Sequence, residues 1–358
     1  MSTREDEDVT NLGIINVNDK SKKLPKVPIV AAFCCLTILG LRKRITNAFT
    51  FVPPKRSGLI LKTLSLKSDI NQAVLFTKYK SEQIFIKALN GNQKQLSLLA
   101  SGLNLNIYLI WLPSGRSKIP ISCLHIIPTG EDIEDPQLLP LIIFSHGNAT
   151  DIGYISGWLI RLSAKLKMQI LAYDYRGYGI SFGKPSENGI IADIKSVYKY
   201  ACNELKIPTQ KIFLLGQSIG SAPSLSLAVH LSKKQKKLKD DTTRRLLGGI
   251  IIQSGILSGL NALLAPEFNI SVPFDVFKNY KGIKKIVFPI MLCHGLNDQI
   301  INIENAFQLY KSAKKNVNNI PITVWWIDGA NHNDLEIVAK QEYFQRIRSF
   351  IEESIDIL

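Results

Sequence analysis

The sequence KIFLLGQSIGSAP occupies residues 211–223 and combines a short strand, a tight turn and the start of a helix. Residues 212–215 are apolar and of strand type, and the next five residues match the pattern Gly-x-Ser-x-Gly around Ser218. In this context the pattern is typical of a nucleophile elbow, where the serine adopts a strained backbone conformation at the tip of the turn. Gly216 and Gly220 lack the Cβ atoms that would collide with the flanking strand and helix. The stretch therefore predicts Ser218 as a candidate nucleophile.

The Gly-x-Ser-x-Gly pattern is weak when it stands alone. Glycine makes up about 7% of ordinary sequences, so this pattern arises by chance in roughly one chain in ten of this length. An ordinary turn serine is therefore the competing interpretation of Ser218. The rest of the chain must supply a base, an acid that orients the base, and donors for an oxyanion.

The region after residue 138 alternates between short apolar runs and helical patterns. The predicted strands are residues 141–144, 169–173, 212–215, 249–253, 290–293 and 322–327. The predicted helices are residues 154–166, 189–205, 223–231, 304–312 and 334–351. This alternation is typical of a mostly parallel central sheet with helices on both faces. Alternating patterns at residues 106–112 and 119–127 predict a hairpin ahead of that sheet.

Two polar residues at strand ends complete a candidate catalytic triad with Ser218. Parallel sheets bind ligands beyond the carboxyl ends of their strands, and Asp298 and His332 each follow a predicted strand. The chain order of the three residues is the Ser, Asp, His order of α/β-hydrolases, so we expect the α/β-hydrolase fold. His332 is assigned as general base and acid, and Asp298 as the residue that fixes its tautomer. Asp328 and Asp334 are rival acids closer to His332 in sequence, but neither ends a strand as expected.

The strand at residues 141–144 ends in the sequence SHGNA, which is a candidate oxyanion loop. A tight turn at Gly147 would let the backbone N–H of Asn148 face the site. Together with the backbone N–H of Ile219, it predicts a two-donor oxyanion hole for a tetrahedral intermediate. His146 precedes the turn, so we favour a structural role that holds the loop over a role as the base.

The next predicted strand is followed by the sequence YDYRGYGIS, residues 173–181. Asp174 has the position of a possible triad acid, but the acid comes after the serine in this fold. We therefore interpret Asp174 and Arg176 as charges that fix a loop near the site.

The composition combines 44 basic with 29 acidic residues, a formal net charge of +15. This charge suits an anionic partner, but the chain contains no recognised nucleic-acid motif, so no nucleic-acid partner is expected. The densest basic run, residues 233–245, is predicted to be a solvated surface loop, with contact to anionic lipid as the alternative. Five cysteines form no disulfide framework, and no metal-ligand spacing is found. We expect neither a metal nor a cofactor, and the sequence does not indicate an oligomeric state.

The N-terminal region predicts a membrane-anchoring segment. Residues 1–23 are polar and expected to be disordered, and residues 24–44 combine an apolar stretch with a basic flank. The largely apolar part, residues 27–41, has 15 residues, fewer than the roughly 20 that a spanning helix needs. A short span, an interfacial helix and an uncleaved signal-like segment therefore remain open. Cys34 and Cys35 are adjacent in this stretch and are candidate acylation sites, with ordinary apolar cysteines as the alternative.

The remaining domain boundaries follow from composition. Residues 45–104 are predicted to be an extension that contributes edge strands, and residues 105–358 the catalytic domain. Free cysteines and the basic residues at 42–44 favour a membrane-associated protein whose catalytic domain lies in the cytosol.

Six segments carry a resemblance to a known family. They are FSHGNATDIG (144–153), YDYRGYGISFGKPSE (173–187), GQSIGSAP (216–223), PFDVFKNYKGIKKI (273–286), HGLNDQII (294–301) and GANHNDLE (329–336). They resemble the alpha/beta hydrolase domain-containing protein 17 family, over residues 105–350 and weakly over the NAFTFVPP stretch at 47–54. The resemblance implies a membrane-bound serine hydrolase that removes palmitate from S-acylated proteins and is held at the membrane by acylated N-terminal cysteines. It also implies the triad Ser218, Asp298 and His332.

The chain departs from this family at its N-terminus, which is more cysteine-dense in the family than here. Residues 56–104 and 233–245 look like insertions. We therefore keep three functional interpretations: an acyl-protein thioesterase, a lipase or lysophospholipase with the same machinery, and a non-catalytic membrane adaptor. Apolar residues between 254 and 280 are candidates for the wall of an acyl groove, with core packing as the alternative.

Overall fold

The computed structural model describes residues 50–54, 103–131, 133, 135–238, 245–263 and 275–356. The predicted polar tail, the anchoring segment with Cys34 and Cys35, and the edge strands between residues 59 and 88 lie outside these ranges. Residues 264–274, which are part of the candidate acyl-groove wall at residues 254–280, also lie outside them. Among the residues that are described, no helix combines the length and apolar character needed to cross a membrane.

One eight-stranded sheet forms the centre of the protein. Its strands are β1 (Leu105–Ser114), β2 (Ile119–Pro128), β3 (Leu141–Ser145), β4 (Gln169–Tyr173), β5 (Ile212–Gln217), β6 (Gly249–Gln253), β7 (Ile290–Gly295) and β8 (Ile322–Ile327). Their spatial order is β1-β2-β4-β3-β5-β6-β7-β8. The hairpin β1–β2 is antiparallel and joins β4 in the antiparallel sense, whereas every pair from β4 to β8 is parallel. The predicted mostly parallel sheet and leading hairpin are confirmed.

Helices cover both faces of the sheet. They are α1 (Ser156–Leu166), α2 (Glu187–Asn203), α3 (Ser221–Gln235), α4 (Gly259–Leu263), α5 (Asn279–Gly282), α6 (Glu304–Ala313), α7 (Leu335–Ala339) and α8 (Gln341–Asp356). Buried residues of α1 and α8 belong to one hydrophobic core, and those of α2, α3 and α6 belong to the other.

The apolar strands are buried because both of their faces meet helices. In β3, Leu141 and Ile143 pack into one core, while Ile142 and Phe144 pack into the other. Successive strand side chains point to opposite faces, so a strand covered on both sides must be apolar at every position. This requirement explains why β3 reads as a continuous apolar run.

The structure differs from the predicted elements at the ends of two strands and within the last predicted helix. Strands β5 and β7 each continue two residues beyond their apolar runs, to Gln217 and Gly295, because these residues still pair with the neighbouring strand. The single helix predicted at residues 334–351 is instead two helices, α7 and α8. The chain turns between them at Lys340, whose φ is 49°.

Residues 50–54 pack against the catalytic domain, although they precede its predicted start. Phe51 is 5% exposed and lies in the same core as β3 and α2. Its ring meets the ring of Phe277 edge to face, with centroids 6.0 Å apart. We call residues 50–54 the strap.

Candidate active site

Ser218 lies at the turn between β5 and α3, in a one-turn 3₁₀ helix that ends at Gly220. Its φ is 53°, a left-handed conformation that is strained for a residue with a Cβ. A Cβ on Gly216 would lie 2.5 Å from the carbonyl oxygen of Gly220, and one on Gly220 would lie 2.0 Å from that of Ser145. The two glycines therefore allow the turn to fold closely onto β3, as the elbow motif predicts.

The side chain of Ser221 joins the elbow to two other segments of the chain by hydrogen bonds. Its hydroxyl donates to the carbonyl oxygen of Ser218 at 2.6 Å and accepts from the backbone N–H of Ile256 at 3.2 Å. The side-chain amide of Asn279 donates to the same hydroxyl at 3.3 Å. Ile256 and Asn279 lie 35 and 58 positions from Ser221, so the sequence holds no local signal of these two contacts.

Asp298 and His332 are brought together by adjacent strands. Asp298 follows β7 and His332 follows β8, and the two loops are joined by a hydrogen bond from the N–H of Asn297 to the carbonyl oxygen of Ala330 at 3.0 Å. The Nδ1 atom of His332 lies 2.7 Å from Oδ2 of Asp298. Since a carboxylate only accepts, Nδ1 carries the proton and Nε2 is left as the basic nitrogen.

The other oxygen of Asp298 is occupied by the backbone. Its Oδ1 atom accepts hydrogen bonds from the N–H of Ile300 at 2.9 Å and of Ile301 at 2.8 Å. The carboxylate is therefore fixed in position, with Oδ2 left to face His332.

His294 also reaches this carboxylate, a contact that sequence reasoning missed. Its Nε2 atom lies 3.0 Å from Oδ2 of Asp298 and 2.7 Å from the carbonyl oxygen of Ile301. Burial alone would raise the pKa of Asp298, but the hydrogen bonds from His294 and His332 outweigh it and hold that pKa below its ordinary value. Asp298 is thus a carboxylate in contact with two imidazoles. The spacing of His294 and Asp298 in the sequence HGLND was the available signal.

The two rival acids have other partners. Asp334 accepts from the backbone N–H of Asn331 at 2.6 Å and from its side-chain amide at 3.1 Å. Asp328 is exposed and accepts from the N–H of Gly329 at 3.0 Å. The structure therefore places Asp298, rather than either rival, against His332.

The loop of His332 lies beside the elbow. The side-chain amide of Gln217, next to Ser218, lies 3.5 Å from the side-chain oxygen of Asn333, next to His332. The hydroxyl of Ser254, which follows β6, donates to the carbonyl oxygen of His332 at 3.4 Å. Ser218 is 8% exposed, and Asp298 and His332 are each 6% exposed. The structure thus gathers the three predicted triad residues in one mostly buried cluster.

The predicted oxyanion loop approaches the elbow from β3. The Cβ of Ser218 lies 3.8 Å from the position that a Cβ would have on Gly147. Ile219 is in the first turn of the 3₁₀ helix, where a backbone N–H has no acceptor within the helix. The structure therefore brings the loop that carries Asn148 against the elbow that carries Ser218 and Ile219.

The side chain of Asn148 is fixed by three hydrogen bonds that were not predicted. Its Oδ1 atom accepts from the N–H of Val52 at 3.0 Å and from the hydroxyl of Tyr178 at 2.7 Å. Its Nδ2 atom donates to the carbonyl oxygen of Thr50 at 2.9 Å. The only sequence signal was that the family resemblance extends weakly over the NAFTFVPP stretch, residues 47–54.

His146 and Asp174 form a buried contact behind the oxyanion loop. The Nδ1 atom of His146 donates to the carbonyl oxygen of Gly147 at 2.7 Å, and its Nε2 atom lies 3.5 Å from Oδ1 of Asp174. Burial lowers the pKa of His146 to about 4. Burial, with a further contribution from nearby Asp151, raises the pKa of Asp174 to about 8. Both groups are therefore neutral at pH 7, and His146 has the structural position that the sequence predicted.

The loop-fixing interactions of this region are partly charged and partly neutral. Arg176 forms an ion pair with Asp193, with Nη2 and Oδ1 2.7 Å apart. Asp174 accepts from the hydroxyl of Ser122 and from the N–H of Ile152, each at 2.9 Å. Arg176 therefore acts through its charge, whereas Asp174, protonated at neutral pH, acts through hydrogen bonds.

The described part of the chain contains no group of three or more His, Cys, Asp and Glu side chains that could hold a metal ion. Burial raises the pKa of the Cys123 thiol well above its ordinary value and that of Cys293 to about 12. Both thiols are thus protonated, and Ser218 is the nucleophile candidate that the local geometry supports.

Comparisons with known proteins agree with this architecture. A family model described as the alpha/beta hydrolase fold matches residues 140–239. An alpha-beta hydrolase from Vibrio vulnificus has a TM-score of 0.54 at 19% identity, covering 84% of this chain and 97% of its own. An esterase from Pyrococcus furiosus also has a TM-score of 0.54, at 17% identity, covering 77% of this chain and 98% of its own. At these identities the solved structures show the fold alone.

Two curated relatives are more similar in sequence. Alpha/beta hydrolase domain-containing protein 17B from Xenopus tropicalis is 30% identical over 252 residues, which are 68% of this chain and 80% of the relative. The human protein of the same name is 29% identical over the same coverage. The family model at residues 140–239 includes the elbow that carries Ser218, and the fold agrees with the match. The chain is a hydrolase of the alpha/beta hydrolase domain-containing protein 17 family.

Proposed function

We propose that this chain is a membrane-associated serine hydrolase that cleaves long-chain acyl thioesters from S-palmitoylated proteins. The observation that carries the proposal is the 2.7 Å contact between Nδ1 of His332 and Oδ2 of Asp298, in a cluster with the strained Ser218. This is the arrangement that activates a serine for attack on an acyl carbon. Because all three triad residues are present, the geometry gives no support to a non-catalytic adaptor.

Acylation begins with attack of the Ser218 hydroxyl oxygen on the thioester carbonyl carbon. His332 accepts the hydroxyl proton at Nε2, while Asp298 holds Nδ1–H and stabilises the imidazolium that forms. The tetrahedral oxyanion receives hydrogen bonds from the backbone N–H groups of Asn148 and Ile219. The C–S bond then breaks, the thiol leaves with the proton from His332, and the acyl group remains on Ser218.

Deacylation uses the same residues in the reverse sense. A water molecule loses a proton to Nε2 of His332 and attacks the acyl-enzyme carbonyl carbon. The second tetrahedral intermediate collapses, Ser218 recovers its proton from His332, and the fatty acid leaves. Each oxyanion donor is worth about a hundredfold or more in rate.

A lipase or lysophospholipase would use identical steps on an oxygen ester. We place the thioester first because the sequence motifs resemble a depalmitoylase family and because the N-terminal segment is predicted to hold the chain at a membrane. Two residues of the predicted acyl-groove wall, Leu257 and Phe277, are each 5% exposed and pack into the core. These two residues therefore follow the core-packing alternative.

The proposed membrane attachment agrees with the position of the strap. Residue 44 ends the predicted anchoring segment and residue 50 begins the strap, which contacts Asn148. Six residues span at most about 20 Å. Attachment through residues 24–44, with or without acyl chains on Cys34 and Cys35, would keep the candidate active site close to the membrane surface. We propose that this surface is the cytosolic one.

The test compares two substrates of matched chain length, an S-palmitoylated peptide and a lysophospholipid. Single-turnover rates are measured for the full chain, for Ser218→Ala and for the matched control Ser226→Ala, which lies on α3 away from the triad. We expect faster thioester cleavage, lost in Ser218→Ala and kept in Ser226→Ala. Preference for the lysophospholipid would support the alternative, and activity that survives Ser218→Ala would exclude the elbow serine as the nucleophile.

A further inference from the structure

The strap reaches the candidate oxyanion loop through backbone groups rather than side chains. The N–H of Val52 donates to Oδ1 of Asn148, and the carbonyl oxygen of Thr50 accepts from Nδ2 of the same side chain. With the hydroxyl of Tyr178 as a further donor, the oxygen of Asn148 has two partners and is saturated. The side chain of Asn148 is therefore held at both ends of its amide group, two of the three bonds coming from the strap.

The strap also holds the residue that follows Asn148. The N–H of Ala149 donates to the carbonyl oxygen of Val52 at 3.1 Å. Ala149 has a φ of 39°, a left-handed conformation that costs about 1 kcal/mol or more for a residue with a side chain. Such conformations persist only where surrounding contacts impose them. The hydrogen bond to Val52 helps to impose this conformation on Ala149. It also occupies the N–H of Ala149, whereas the N–H of Asn148 is assigned to the oxyanion hole.

The strap is itself fixed to the domain core. Phe51, between the two contacting residues, is 5% exposed and packs edge to face on Phe277. The side chain of Val52 is 53% exposed, so its contribution lies in its backbone. The buried ring of Phe51 lies between the two residues that contact Asn148, and it therefore fixes the position of the strap relative to the oxyanion loop.

We propose that Thr50 and Val52 are positioning residues of the oxyanion hole and act through Asn148. This inference rests on the proposed function, because it assumes that the N–H of Asn148 stabilises a tetrahedral intermediate. Oxyanion contacts strengthen in the transition state rather than in the bound substrate. A displaced strap should therefore lower kcat and leave KM nearly unchanged. The strap, which follows the predicted anchoring segment, then contributes to the catalytic rate through Asn148.

The main test replaces the donor in the strap. Val52→Pro removes the backbone N–H, and its fixed φ suits an extended chain, which the following Pro53 already favours. We measure kcat and KM for p-nitrophenyl octanoate, with active sites counted by fluorophosphonate labelling so that kcat refers to folded enzyme. We expect Val52→Pro to lower kcat about tenfold to a hundredfold, with KM within about twofold. Val52→Ala retains the N–H and should restore most of the kcat.

A second pair of variants tests the same contact from the other side. Asn148→Ala removes all three side-chain hydrogen bonds, whereas Asn148→Asp keeps the oxygen that accepts from Val52 and Tyr178. We expect kcat to fall in the order wild type, Asn148→Asp, Asn148→Ala, again without a matching rise in KM. These variants carry the test if Val52→Pro does not fold.

Two results would overturn the inference while leaving the hydrolase in place. One is an unchanged kcat in both Val52→Pro and Asn148→Ala. The other is a rise in KM with kcat unchanged, which would make the strap a part of the substrate site. Turnover that survives Ser218→Ala would instead remove the proposed function, and with it the oxyanion hole that the strap is inferred to position.

Discussion

The Nε2 atom of His294 lies 3.0 Å from the same oxygen of Asp298 that faces the candidate base. His294 is fully buried at the end of β7, four residues before Asp298. Both neighbours of its Nε2 atom are acceptors, so that nitrogen carries the proton. Hydrogen bonds from His294 and from two backbone N–H groups therefore hold Asp298 in the position from which it contacts His332.

Asp298→Asn should lower kcat by about three to four orders of magnitude. An asparagine at this position favours the wrong tautomer of His332 and cannot stabilise the imidazolium. The matched control is Asp328→Asn, in the exposed loop before His332, which should change kcat less than about threefold. Steady-state kinetics on one ester substrate are sufficient. Equal losses in the two variants would show that Asp298 is not the triad acid.

His294→Leu should shift the loss of stability in acid to higher pH. The pKa of Asp298 is below its ordinary value, so the carboxylate contributes stability above about pH 4 that is lost as pH falls through its pKa in the folded protein. Without the His294 donor that pKa rises, and the loss begins at a higher pH. We also expect kcat at pH 7 to fall by up to about tenfold.

His294→Gln is the control for this prediction, because its amide can donate near the position of Nε2. It should return both the pH dependence of stability and kcat toward the wild-type values. An identical pH dependence of the free energy of unfolding in urea for wild type and His294→Leu would show that His294 contributes to packing alone.

Asp174→Asn should change how stability depends on pH. The pKa of Asp174 is raised to about 8 in the folded protein, whereas an unfolded aspartate titrates near pH 4. Its contribution to stability is therefore full below about pH 4 and is lost as pH rises to about 8. Urea unfolding at pH 5 and pH 8 should show a larger loss of stability in wild type than in the variant. Equal losses in both proteins would contradict the raised pKa.

Gly220→Ala should destabilise the fold and abolish turnover. The added Cβ would lie 2.0 Å from the backbone oxygen of Ser145, which cannot move without displacing β3. We expect a loss of about 2 kcal/mol or more in the free energy of unfolding. Gly157→Ala on α1 is the control, because nothing lies within 4 Å of its added Cβ, and it should gain up to about 1 kcal/mol. Urea unfolding of both variants measures the difference.

The fold could be predicted because its inner strands are short apolar runs, a pattern that is visible in the sequence. Strands β4, β6 and β8 match their predicted bounds at residues 169–173, 249–253 and 322–327. Strands β4 and β6 are buried at every position, as a covered parallel sheet requires of its inner strands. Strand β8 lies at the edge of the sheet and is only partly buried, but the turn at Asp328 still marks its end in the sequence. The ends of β5 and β7 were missed because Gln217 and Gly295 remain in the sheet through backbone pairing, which a hydrophobic pattern does not reveal.

The candidate site was predictable where it follows the topology. Ser218, Asp298 and His332 each follow a strand, so the fold alone brings them to one edge of the sheet. The contacts of Asn148 with Thr50 and Val52 join residues 98 and 96 positions apart, and residues 51–54 of the strap belong to no helix or strand. His294 lay within a quoted motif, yet its contact with Asp298 depends on how the loop after β7 turns. Such contacts come from tertiary packing, for which one sequence holds no local signal.

The most direct test of the proposed function is to locate the acyl group during turnover. The full chain is mixed with an S-palmitoylated peptide, quenched in acid within one turnover, digested and analysed by mass spectrometry. We expect palmitate on the peptide that contains Ser218, and none on that peptide in Ser218→Ala. Release of the thiol with palmitate on another residue, or with no acyl-enzyme and an unchanged rate in Ser218→Ala, would contradict a serine hydrolase that acts through Ser218.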